Sequence, residues 1–226
     1  MCGRYALYGP RAFSRAERAY FEGVESFPPT YNAAPSQMLP IARLAEGRPQ
    51  VVAAKWGLVP HWAKDEKSGF KSINARAETC TSSPLFRAAY HAKRRCLVPA
   101  SGFYEWTRHP FGKKPYYITS AGGSLLALAG LWEHWRMPNG ETLLSFTVIT
   151  GEPNAVVKPL HNRMPVILAP EDYEKWLTDA DPRDLLRPCA PEMLIAYPVG
   201  SRVNTPKNDD PDLVQPSDPV KRPVNG

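Results

Sequence analysis

Cys2 has the widest chemistry open to it of any residue in this 226-residue chain. The chain opens "MCGRYALYG", so removal of Met1 makes Cys2 the first residue. A cysteine at a chain start carries two nucleophiles on adjacent carbons, an α-amine and a thiol. The amine has a pKa of about 7.7–8.0, so a useful fraction is neutral near pH 7, unlike a lysine at about 10.4. Such an amine adds to an aldehyde to give a reversible imine. A thiol on the neighbouring carbon then closes a five-membered ring with high effective molarity. Small Gly3, next in the chain, lets a bulky partner approach the end group closely.

Three other stretches carry candidate groups. In "KSINARAET", residues 71–79, Asn74, Arg76 and Glu78 alternate with Ile73, Ala75 and Ala77. A strand there places the polar groups on one face, either as a solvated edge or as a preorganised amide, guanidinium and carboxylate. In "SGFYEW", Glu105 stands among Phe103, Tyr104 and Trp106. If it is buried, desolvation raises its pKa towards neutrality and suits it to acid–base work; if it lies on the wet side of the strand, it is ordinary. In "KPLHNRMPVIL", His161 precedes an apolar run in a loop, open to a titrating or a structural role. His61, His91, His109 and His134 read as structural or exposed.

"WGLVPHWAK" sets Trp56 and Trp62 around a proline turn, with His61 and Lys64 nearby. Rings interleaved with cations are what a single-stranded nucleic-acid groove uses, although tryptophans also close cores, a reading that fits Trp56 better than Trp62. The net charge of +6 is compatible with an acidic partner without requiring one.

The elements that must position these groups are mostly strands. Proline, 25 residues of it, cuts the chain into short β-like runs such as "QVVAAKWGLV", "RRCLVPASGFYEW", "PYYITS", "LLALAGLWEHW" and "LLSFTVIT". "MPNGET" carries the Asn-Gly signature of a hairpin turn. Helices are expected in "GPRAFSRAERAYFEG", in "SPLFRAAYHAKR" from a Ser-Pro cap, in "APEDYEKWL", and briefly in "DPRDLLR". This mixture predicts an α+β fold, a single domain of curved, mainly antiparallel and barrel-like sheets with peripheral helices over residues 2–216, then a loose tail at 217–226. The best apolar run, "SLLALAGLW", is about half the ~20 residues a membrane span needs, and no secretory pattern is present. A cytoplasmic protein is expected, nucleoid-associated if bacterial. Cys80, Cys96 and Cys189 read as ordinary free thiols, and the absence of CxxC or Cys/His clusters predicts no metal and no cofactor.

"MCGRY", "TYNAAPSQ", "WGLVPHW", "INARAET", "GFYEW", "PYYI" and "HNRMPVIL" occur in this order over nearly the whole chain. Together they resemble the SOS response-associated peptidase (SRAP) family, whose members shield abasic sites in single-stranded DNA. The resemblance implies that Cys2 captures the open-chain aldehyde of an abasic deoxyribose as an imine and then a thiazolidine, a covalent DNA–protein crosslink that the same site reverses. It implies that Asn74 orients the Cys2 end group, that Glu105 acts as acid and base beside the amine, and that His161 serves the sugar ring oxygen and crosslink reversal. Arg4 and Arg76 are expected as phosphate ligands, Trp62 as the ring propping the DNA at the lesion, and Asn32 and Arg163 as further DNA-binding residues. Two positions depart from the family pattern: Thr30 stands where an arginine is expected, and Ala63 where some relatives carry a second tryptophan.

The expected partner is thus single-stranded DNA containing an abasic site, bound by a monomer, with replication-fork proteins as further candidates. Contacts to phosphate predict little sequence preference and weaker noncovalent binding in high salt. The alternative is an N-terminal-nucleophile cysteine peptidase built on Cys2, His161 and Glu105. A noncatalytic single-strand DNA-binding module is a third reading.

Overall fold

The apolar and aromatic runs form strands β1 (Tyr5–Leu7), β2 (Thr30–Ala33), β3 (Met38–Ala45), β4 (Arg48–Trp56), β5 (Asn74–Arg76), β6 (Arg95–Ala100), β7 (Gly102–His109), β8 (Gly112–Ser120), β9 (Leu126–Arg136), β10 (Thr142–Gly151), β11 (Met164–Pro165), β12 (Ile167–Leu168) and β13 (Leu194–Pro198). The computed structural model describes residues 2–9, 14–109 and 112–217. Helices are few and short: α1 (Arg15–Phe21), α2 (Arg87–His91) and α3 (Tyr173–Thr178). The fold is α+β, and two sheets dominate it.

One sheet has five strands in the order β13-β8-β7-β1-β2. The other follows β11-β10-β4-β3-β6-β9-β12, and β10 also pairs with β9, so β10, β4, β3, β6 and β9 close into a barrel. Closure removes the free edges that an open sheet would expose. All pairs in this ring are antiparallel except β10 with β4, where Phe146 stands opposite Trp56.

Strand β10 decides what meets at the site. Beyond the barrel, its last residues pair with β5 on one edge (Val148 with Asn74, Thr150 with Arg76) and with β11 on the other (Thr150 with Pro165). Two motifs about ninety residues apart in sequence are thereby fixed on either side of one short stretch. The chain start is held by the five-stranded sheet: Tyr5 pairs with Phe103 of β7 and with Ala33 of β2, and Tyr104 N–H donates to the Arg4 carbonyl at 3.0 Å. The sheets join where β6 runs into β7 at buried Ser101. Gly102 is required at this junction, since a Cβ there would sit 2.5 Å from the Ile118 carbonyl oxygen and from the Tyr117 ring.

Trp56 is wholly buried, its ring 5.2 Å from that of Tyr5 and 6.2 Å from that of Phe146, and its Nε1–H donates to the Ile73 carbonyl at 2.9 Å. It closes the core and ties the residue before Asn74 to the strand that follows Cys2.

Several expected boundaries move. The first helix begins only at Arg15, behind a capping box: Ser14 Oγ accepts from Glu17 N–H at 3.2 Å and the Glu17 carboxylate accepts from Ser14 N–H at 2.8 Å. Such a cap is worth about 1 kcal/mol, enough to place the start of so short a helix. In "SPLFRAAYHAKR" the Ser-Pro cap is not used: the chain turns at Ser83, whose carbonyl accepts from Phe86 and Arg87, and α2 starts at Arg87. "DPRDLLR" is a single 3-10 turn, Arg183–Leu185. The strand expected over residues 71–79 lasts only from Asn74 to Arg76, because Thr79 and Cys80 N–H both turn back onto the Arg76 carbonyl. Glu78 therefore lies on a turn and not on a shared polar face. β3 contains Pro40 and escapes the pattern reading, yet it pairs in register with β4 along its whole length. Cys2, Cys80 and Cys96 are buried free thiols, and Cys189 is half-buried and free. An isolated bridge of Val199 with Pro216 ends the described chain; residues 218–226, most of the expected tail, and the His109 side chain lie outside the described part.

Candidate active site

Cys2 enters the site just before β1 and is fully buried. Asn74 Nδ2 donates to the Cys2 carbonyl oxygen at 2.8 Å, fixing the backbone that carries the α-carbon. The Cys2 thiol makes a weak contact with the Arg4 carbonyl at 3.8 Å. Burial, followed by the nearby Glu105 charge, pushes this thiol far above its ordinary range. A thiolate is therefore disfavoured until a proton acceptor is engaged.

Glu105 lies on β7, which neighbours β1, and is 2% exposed. Its neighbours Phe103 and Tyr104 are both fully buried, so the strand is covered on both faces, which explains why alternation alone left the residue ambiguous. Burial raises its carboxyl from the ordinary carboxylate range to about 7, against the opposing pull of the amino-terminal charge. A carboxyl at that value gives or takes a proton at neutral pH.

His161 sits in the loop between β10 and β11, where Leu160 and His161 N–H both donate to the Val157 carbonyl. Its Nδ1 lies 3.0 Å from the Arg163 N–H and 3.2 Å from the Arg163 carbonyl oxygen. The neutral ring accepts from that N–H, which assigns the ring proton to Nε2, while the protonated ring has the carbonyl to donate to. One backbone residue thus offers a partner to either protonation state of the ring. Burial pulls His161 below its ordinary value.

The cationic residues separate into two kinds. Arg4 is half-buried and donates from one nitrogen to Asn32 Oδ1 at 2.8 Å and to the Val203 carbonyl at 3.0 Å. Asn32 is 1% exposed, and its Nδ2 reaches the carbonyls of Val203, Thr205 and Asn208. Asn32 thus faces the protein and holds Arg4 against the 201–208 segment. Arg76, at the end of β5, is exposed. The Arg163 guanidinium is a two-pronged partner of Glu78 and also donates to the Thr150 carbonyl, so a phosphate contact from it requires breaking that ion pair. Trp62 is 56% exposed on the loop after β4, and Ala63 beside it accepts through its carbonyl from Trp135 Nε1–H at 2.7 Å.

An open cavity of about 460 Å³ beside the chain start is lined by Gly3, Arg4, Trp106, Lys113 and Asn204. Trp106 Nε1–H donates to Asn204 Oδ1 at 2.7 Å, which fixes the ring on its wall. A larger hollow of about 550 Å³ lies by Leu7, Arg18, Glu22 and Phe27; Cys2, Asn74, Glu105 and His161 line neither of the two. Sequence reading missed the 201–208 segment and the Thr150 carbonyl. The contacts of both with Asn32, Arg4 and Arg163 are made through backbone carbonyls that every residue type possesses, so no residue-type signal existed to find those contacts. Among the described residues no cluster of His, Cys, Asp and Glu is arranged to hold a metal ion, and no helix is long and apolar enough to cross a membrane.

The chain thus folds as a closed five-stranded barrel flanked by a second sheet, with Asn74 on the Cys2 carbonyl and the buried Glu105 acting on the Cys2 thiol. The chain belongs to the SOS response associated peptidase (SRAP) family, whose profile matches residues 1–206. It is 40% identical over 223 residues to the abasic site processing protein YoqW of Bacillus subtilis, covering 95% of this chain and 99% of that one. It is 34% identical to the abasic site processing protein HMCES of Xenopus tropicalis, over 84% of this chain and 67% of the relative. A crystal structure of a protein from Bacteroides thetaiotaomicron superposes with a TM-score of 0.82 at 28% identity, covering 96% of this chain and all of that one.

Proposed function

We propose that this chain processes abasic sites in single-stranded DNA by capturing them covalently at Cys2 once Met1 has been removed. The observation that carries the reading is what acts on Cys2: Asn74 donates to its carbonyl, and the Glu105 carboxyl, raised to about 7, acts on its thiol.

The α-amine of Cys2 adds to the aldehyde carbon of the ring-opened abasic deoxyribose, and loss of water from the carbinolamine leaves an imine. The thiol sulfur then bonds to the imine carbon, and its proton ends on the nitrogen. The net change is aldehyde plus aminothiol giving a thiazolidine and one water, with nothing oxidised or reduced. Glu105, near neutrality, takes the proton from the buried thiol and returns it to nitrogen. His161 donates a proton to the sugar ring oxygen as the ring opens and accepts one during reversal. Arg4 and Arg76 hold the phosphates flanking the lesion without reading bases, Trp62 stacks on the neighbouring base, and Asn32 acts through Arg4. Arg163 stands next to this track with its guanidinium occupied by Glu78. The reaction needs one chain only, acting as a monomer in the compartment that holds the DNA.

The peptidase alternative has less support. The curated relatives that the chain matches are named abasic site processing proteins.

The test mixes purified protein with single-stranded DNA carrying one abasic site and resolves the products on a denaturing gel. A heat-resistant adduct is expected from the wild type and none from Cys2→Ala. Cys2→Ser keeps the amine but lacks the sulfur, so its adduct should survive only after borohydride reduction. An equally stable adduct from Cys2→Ser without reduction contradicts thiazolidine formation, and fully active protein that retains Met1 contradicts the role of the chain start.

A further inference from the structure

We propose that Glu78 is a positioning residue for His161, acting through Arg163: its carboxylate locks the Arg163 side chain so that the Arg163 backbone holds the imidazole in register with Asn74 and Cys2. This inference rests on the function proposed above.

The geometry forms one connected path. Both terminal nitrogens of Arg163 meet the two Glu78 oxygens, with Nη2 to Oε2 at 2.9 Å, and Nη2 also donates to the Thr150 carbonyl. A fork-to-fork pair of this kind fixes the plane and direction of the guanidinium as well as its distance. Thr150 is the residue of β10 that stands opposite Arg76 of β5 and Pro165 of β11. Its carbonyl also accepts from the Ala77 N–H at 2.9 Å, one residue before Glu78. The Arg163 side chain therefore clamps the end of the Asn74 strand to the end of β10. The same residue presents its N–H and carbonyl to His161 Nδ1 at 3.0 and 3.2 Å. A displacement of Arg163 must move the imidazole, because His161 and Arg163 are two residues apart in a loop that has not yet entered β11.

The burial of the two partners separates positioning from general stability. The Glu78 side chain is 50% exposed and that of Arg163 17% exposed, so the pair adds little to the global stability of the fold. A displacement of a reacting group by about 1 Å can nevertheless cost about 100-fold in rate. Loss of Glu78 is thus expected to appear in the chemistry and not in melting.

The experiment compares Glu78→Gln, which keeps the shape and removes the charge, with wild type in the full chain. Three quantities are read: the rate of adduct formation with abasic single-stranded DNA, the noncovalent affinity for intact single-stranded DNA, and the melting temperature. Adduct formation should slow about 10- to 100-fold with melting and affinity not reduced, Glu78→Asp should recover part of the rate, and Glu78→Gln should add no further loss in a His161→Ala background. A wild-type rate in Glu78→Gln, an equal loss in both backgrounds, or a rate loss explained by weaker DNA binding would each overturn the proposal. Long-range 1H–15N spectra of the imidazole supply a readout that needs no adduct. The His161 ring resonances should move in Glu78→Gln and stay in place in a Glu152→Gln control, and unmoved resonances in Glu78→Gln overturn the proposal. Absence of an adduct from the wild type counts against covalent capture itself, and the spectra then still decide whether Glu78 positions His161.

Discussion

Asn74 Nδ2 donates to the Cys2 carbonyl oxygen at 2.8 Å across 72 residues of sequence. The bond is possible because β5 pairs with β10 while the chain start pairs with β7 and β2, so the two sheets deliver one partner each. Asn74→Ala removes the donor and leaves the Cys2 backbone free to turn. A loss of about 1 kcal/mol in stability is expected, together with roughly 10-fold slower adduct formation. Single-turnover gels and thermal melts on the same preparation check both, and an unchanged rate argues against an orienting role.

The raised Glu105 carboxyl makes stability depend on pH. Its folded value of about 7 lies above the ordinary value of 4.5 because burial penalises the charge. Between these values the unfolded chain releases the proton that the folded chain keeps, so stability should fall as pH rises from about 4.5 to about 7 and level off above. The whole effect is on the order of 3 kcal/mol at most, at about 1.4 kcal/mol per unit. Glu105→Gln should abolish this slope in melts from pH 4 to 8 and slow adduct formation by about 100-fold or more. A slope that persists in the variant would assign it to another group.

Asn32 is the support of Arg4. Asn32→Ala leaves the Arg4 nitrogen short of one acceptor and the Asn208 carbonyl without its side-chain donor, while the Val203 carbonyl keeps Arg4 and the Thr205 carbonyl keeps the Asn208 N–H. Buried polar groups left in this state cost about 1–3 kcal/mol each, although the segment can relax towards water. The expected outcome is a clear drop in melting temperature together with weaker DNA binding; Arg4→Ala should weaken binding with a smaller effect on melting. Equal melting of Asn32→Ala and wild type would show that the network carries no stability.

Trp62 offers the opposite pattern. Being 56% exposed, it contributes little to the core, and Trp62→Ala should change stability by less than about 0.5 kcal/mol. Stacking on a base is worth about 1–3 kcal/mol, so affinity for single-stranded DNA, read by anisotropy, should fall roughly 5- to 100-fold. Undiminished affinity would remove the ring from the proposed DNA track.

By itself the sequence determined the chemistry on offer and the broad fold. Cys2 behind the initiator methionine, Glu105 among aromatics, His161 before an apolar run and the proline-punctuated β-like segments are local facts, and local residue type sets both reactivity and strand preference. The hairpin at "MPNGET" was legible for the same reason: Gly140, in the left-handed region at φ +87°, follows Asn139 between β9 and β10. Register and pairing were decided elsewhere. Whether Glu105 faced water or core depended on sheets covering both sides of β7. Whether Glu78 shared a face with Asn74 depended on a turn that ends β5 after three residues. The pairing of Glu78 with Arg163 joins side chains from distant segments, and the 201–208 segment grips Asn32 through backbone carbonyls. No residue pattern encodes them, because they exist only once the closed barrel and the second sheet have brought those segments together.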